Sequence, residues 1–149
     1  MRSLLAVALG AVLMVSLSVA NIALMWFSLG WKFAFSGAGP EASPRWCIGM
    51  LVGGAVAALL GGIVCQKVSG QRSTVPGNLL VLIAACLAIF GLVMRNSIET
   101  AKLPAGKVTG DLSFAEASEY AVSPLWFHLA NCFVAPGCVW FSWKLVGRR

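Results

Sequence analysis

The sequence is poor in charge. Only 11% of its 149 residues are Asp, Glu, Lys or Arg, against about 25% in an ordinary soluble domain. Five residues are acidic, and Glu99, Asp111, Glu116 and Glu119 all fall between Arg95 and Ser123. The apolar runs hold no Asp, Glu, Lys or Arg at their centres. That excludes the buried carboxylate or lysine on which general acid–base catalysis and ion-coupled transport rely. There is a single histidine, His128, so the chain cannot build a bis-histidine haem site by itself. It also shows no second ligand for a zinc site, which needs three or four.

Other signatures are missing as well. The cysteines at 47, 65, 86, 132 and 138 form no CxxC, which excludes zinc-finger and thioredoxin spacing. They read as small apolar residues packed between helices. A glycine-rich phosphate loop and a Ser/His/Asp set are lacking, and the reading leans away from an enzyme. Net charge is +6, but the basic residues flank apolar segments instead of forming a stripe. Nucleic-acid binding needs such a stripe. Flanking Lys and Arg suit lipid headgroups and set topology.

What the chain does have is apolar surface: 59% hydrophobic residues and a mean hydropathy of +0.87. A soluble core of this size cannot hide so much, so the lipid bilayer is the first partner. The expected fold is all-α, one integral membrane domain of four transmembrane helices with a short outer amphipathic helix before the fourth. The expected spans are about 3–29, 46–65, 77–94 and 124–146, each near the twenty residues a bilayer requires. In lipid the backbone needs internal partners, so uninterrupted apolar runs read as helices.

The N-terminus imitates a signal peptide, with Arg2, an apolar stretch and Ser18-Val19-Ala20. The run continues through Ile22–Phe27, so an uncleaved first helix is expected. Extended to Phe35 it would be about 48 Å long against a hydrocarbon core of about 30 Å. The helix therefore tilts, or emerges near Gly30-Trp31-Lys32 with the lysine snorkelling. Gly37, Gly39 and Pro40 then break it. In the outer connection, 95–123, Ser113 and Glu116 fit a capping box that starts a short helix. Phe114 and Tyr120 are expected to face the bilayer from it.

With both termini cytoplasmic, the inside holds Arg2, Lys67, Arg72, Lys144, Arg148 and Arg149. The outside then holds Lys32, Arg45, Arg95, Lys102 and Lys107, a small excess in the direction of the positive-inside rule. Trp31, Trp46 and Trp126 would anchor one interface, and Trp140 and Trp143 the other.

Two residue groups invite a role. Gly49, Gly53, Ala57 and Gly61 recur every four residues, with Gly54, Ala58 and Gly62 beside them. Such a face lets another helix backbone approach closely. It is either an oligomer or partner interface, or a packing surface for this chain's own helices. In the fourth segment His128, Asn131 and Cys132 share one face. Pro136 withholds an amide hydrogen and frees the carbonyl of Cys132, so a kink is expected. An intramembrane ionisable group is a functional-site hypothesis. His128 serves either interfacial hydrogen bonding or a ligand or proton-relay role, and the cofactor, if there is one, is not identified.

The run Gly53–Cys65 with the basic residues after it, then Leu79–Ala84, the apolar N-terminus and the Trp-rich last segment, resembles a loose group of small, uncharacterised bacterial four-helix membrane proteins. The similarity covers mostly residues 1–94 and carries no activity. It implies a bacterial cytoplasmic membrane. The trimeric membrane glutathione transferases have similar length, but their Glu-Arg pair with a downstream Asn is missing. The expected function is a non-catalytic membrane subunit that packs against other membrane subunits or a second copy. The alternatives are a small transporter or channel component, or a cofactor-holding subunit using His128.

Overall fold

The computed structural model describes residues 2–37, 39–70, 74–99 and 109–146. The fold is all helical, with no strand among the described residues. Four long helices, α1 (Arg2–Leu29), α3 (Pro44–Ser69), α4 (Val75–Glu99) and α6 (Leu125–Val146), are long and apolar enough to cross a membrane. Short pieces join them at one end: α2 (Trp31–Ala34), a 3₁₀ turn at Thr109–Asp111 and α5 (Phe114–Tyr120).

Helices α1 and α6 match the expected spans to within a residue, whereas α3 and α4 outrun theirs, because an apolar run and a helix stop are different constraints. Ser43 caps α3 and Pro44 opens it, where the missing amide hydrogen costs nothing. At the other end Gly70, with φ of 81°, takes the left-handed conformation that closes a helix. Helix α4 runs past Arg95 to Glu99, since an arginine ends an apolar run but not a helix. Helix α6 continues unbroken through Pro136.

Helix α3 is the hub. Gly49 faces Met25 and Gly61 faces Gly10, so α1 and α3 run antiparallel. Gly62 lies against Ser142 and Val139, and Trp46 and Phe127 share a cluster at the other end, so α3 and α6 run parallel. Gly77 meets Trp143 while Gly91 faces His128, which sets α4 antiparallel to α6. The start of α1 and the end of α6 therefore share one end of the bundle. That end is packed by Ala6, Val7, Cys65, Leu80 and Val139. Outward, the helices present bare apolar side chains: Phe133 is 78% exposed, Phe27 77% and Leu4 70%.

The other end carries a folded cap. Ser36 donates to Glu41 at 2.9 Å, Ala42 to Val122 at 2.9 Å, Val122 to Pro40 at 2.9 Å and Ser43 to Ala34 at 2.8 Å, all backbone to backbone. The first and last fold the α2–α3 connection on itself, and the two at Val122 tie it to the α5–α6 connection. Thr109, buried, donates its hydroxyl to Gly37 at 3.2 Å. The capping box of α5 forms as expected: Ser113 accepts from the Glu116 amide at 3.3 Å, and Glu116 accepts from the Ser113 amide at 2.9 Å.

One expectation is corrected here. Phe114 was expected to face lipid, but it packs on Trp26 and Phe27 with ring centroids 6.0 and 5.9 Å apart. The cap supplies a protein surface there. Trp46, placed by the sequence at a span end, is 7% exposed and belongs to the cluster under the cap. Lys102 and Lys107, between α4 and α5, and Arg72, Arg148 and Arg149 lie outside the described residues.

One hydroxyl holds much of this junction. Ser43 Oγ accepts from the Trp46 amide at 3.1 Å and donates to the Phe33 carbonyl. Ser43→Ala removes a helix cap and strands a carbonyl near the core. It is expected to lower unfolding stability by about 2 kcal/mol, about one from the cap and the rest from the orphaned acceptor. Unfolding by SDS in mixed micelles reads this directly, and an unchanged midpoint would refute the dual role.

Candidate functional site

The Gly49/Gly53/Ala57/Gly61 stripe lies against α1. A β-carbon on Gly61 would sit 2.7 Å from the Gly10 carbonyl oxygen and 3.1 Å from Met14 Cβ. Gly53 opens a notch filled by the Asn21 amide, whose Nδ2 points at the Gly49 carbonyl at 3.5 Å. Gly49 receives the end of Met25, and Ala57 is 1% exposed. The neighbouring stripe divides: Ala58 and Gly62 are buried, Gly62 against Ser142, while no atom stands within 4 Å of where a Gly54 side chain would begin.

Along one edge of this contact runs a shallow groove of about 700 Å³. Its floor is Ala20, Asn21, Gly49, Gly53 and Ala57; its walls are Leu24, Val52, Val56 and Leu60. These four wall residues are exposed, Leu24 at 67% and Val52 at 59%.

His128 stands one turn into α6. Its Nδ1 is 3.9 Å from where a Gly91 side chain would begin, so the glycine leaves room for the imidazole beside α4. The Phe127 ring stands edge-on to it at 5.3 Å. Asn131 and Cys132 are half-buried. Among the described residues the Asn131 amide makes no hydrogen bond. Among the described residues no three His, Cys, Asp or Glu side chains gather as metal ligands.

His128 also lines a cavity that sequence reasoning missed. It measures about 260 Å³ and lies under the cap, between Trp26 of α1, Phe35, Trp46 of α3, Phe114 of α5 and Phe127 of α6. Trp26 meets Phe35 and Trp46 edge-on, both at 6.3 Å. Ser123 and His128 are its polar residues. A faint signal was present, since aromatic residues cluster at the ends of segments that alternation brings to one side. Their convergence on one space depends on the cap's backbone bonds, which leave no mark in local sequence.

No family model, curated protein or solved structure matches the chain. No role is therefore carried over from another protein. The geometry offers two places where another molecule fits: an open groove for something long and apolar, and a partly enclosed aromatic cavity for something small.

Proposed function

We propose that this chain is a multi-pass protein of a bacterial cytoplasmic membrane, with both termini cytoplasmic, that acts as a non-catalytic subunit of a larger membrane assembly. The groove along α1 and α3 carries this reading. Its floor of small residues lets a backbone come close, and its walls are bare apolar side chains at the depth of the four apolar helices. From Leu17 to Leu29 it extends about 18 Å at 1.5 Å per residue. An occupant at that depth must satisfy its own backbone, which makes it a helix of another membrane chain. Close van der Waals packing and a polar glue residue drive such contacts in lipid. Asn21 on the groove floor and Asn131 on α6 are amides of the kind that serve.

The test uses a photoreactive amino acid in the native membrane at Val52 or Val56, with Phe133 as the outward-facing control. Irradiation is expected to give one discrete protein adduct from positions 52 and 56 and lipid adducts from 133. Val56→Trp, which fills the groove, is expected to abolish the adduct from position 52. Lipid adducts alone from all three positions would sink the subunit reading and make the groove an acyl-chain site.

A further inference from the structure

We infer that the cavity beneath the cap is a binding site for a neutral, planar, lipid-soluble ring bearing a carbonyl or hydroxyl group, of the class to which quinone head groups belong. The cavity shares no lining residue with the α1/α3 groove, so this inference stands apart from the subunit reading.

Size narrows the class first. An engineered apolar cavity of about 150 Å³ takes up benzene, so the 260 Å³ here accommodates one substituted ring or two fused ones. The wall chemistry narrows it further. Trp26, Phe35, Trp46, Phe114 and Phe127 come from five separate segments and surround one space. Aromatic side chains favour ring partners in offset or edge-on contact over a flexible alkyl chain. No Asp or Glu lines the space, so a cation entering it would have only the ring faces to replace its water, whereas a neutral ring has little water to lose.

Ser123 supplies a polar group. Its backbone carbonyl accepts from Arg95 Nε at 3.2 Å, which holds this residue in place beside the cavity. Its hydroxyl makes no hydrogen bond among the described residues, and can donate to a ring carbonyl or accept from a ring hydroxyl. The imidazole of His128 forms the wall beside it. The site lies at the capped end of the bundle, its His128 one helical turn from the start of α6.

The probe is duroquinone, whose four methyl groups block addition of the exposed Cys86 thiol. The full chain is placed in lipid nanodiscs, and quenching of tryptophan fluorescence is followed during titration. Saturable binding of one molecule per chain is expected. Ser123→Ala is expected to weaken it about two- to tenfold, the loss of one ordinary hydrogen bond. Ala121→Phe, which fills the space, is expected to weaken it more than tenfold. If Ala121→Phe does not fold, Ser123→Ala decides. Quenching that rises linearly without saturation, identical curves for the wild type and Ser123→Ala, or equal displacement by decanol or phosphocholine would each overturn the proposal.

Discussion

Gly61→Leu is expected to destabilise the bundle by about 3 kcal/mol, at the upper end of the range for overpacking. The reason is the kind of atom in the way. At Gly61 and Gly10 the obstacles are each other's carbonyl oxygens, 2.7 and 2.8 Å from the β-carbon that a side chain would add. Backbone cannot rotate aside, so α1 and α3 must separate along their length. At Gly53 and Gly49 the obstacles are the ends of Asn21 and Met25, which can swing into the open groove. Gly53→Leu, though it belongs to the same four-residue repeat, is therefore expected to cost about 1 kcal/mol, the lower end of the range. Unfolding by SDS in mixed micelles, compared across the single variants, measures the order. A Gly61→Leu protein as stable as Gly53→Leu would show that the helices do not meet as closely as their glycines suggest.

Trp46→Ala is expected to cost about 3–5 kcal/mol, the usual range for emptying a buried large aromatic site. Trp46 is 7% exposed and stands edge-on to Trp26, which in turn meets Phe35 and Phe114. Removing it deprives α1, the cap and α6 of a shared neighbour. The cap should then open to proteases between Thr109 and Ser123 before the helices unfold. Trp140→Ala is the control. That ring is 47% exposed under the Lys144 ammonium at 3.9 Å, and its loss should cost about 0.5–1 kcal/mol, the value of an exposed cation–π contact. Limited proteolysis alongside the unfolding curve separates the two. Equal losses for both variants would refute the view of Trp46 as the centre of the cap.

The cysteines illustrate how far local reading reaches. Read as packing residues, they divide in the fold: Cys47 and Cys65 are buried, Cys132 and Cys138 half-buried, and Cys86 exposed on α4. Composition says that a small apolar side chain is tolerated in a helix. It does not say which way the helix turns, because when lipid and protein are equally apolar both faces look alike. The same ambiguity hid the direction of Phe114.

The sequence by itself determined the elements. Four apolar runs, the Ser113–Glu116 capping box and the Gly70 terminator act over a few residues, through hydrogen bonds and backbone sterics that each segment satisfies alone. It also determined that the 49/53/57/61 face admits a close neighbour, because a missing side chain is a local fact. Only the tertiary structure decided which neighbour. Four helices that are alike in apolar composition favour no pairing over another, so the choice of α1 rests on shape: Gly10, Met14, Asn21 and Met25 fall opposite Gly61, Gly53 and Gly49 in antiparallel register. The cavity under the cap depends equally on distance along the chain. It needs Pro40 and Ala42 bonded to Val122, some eighty residues apart, before five aromatic side chains can share one space.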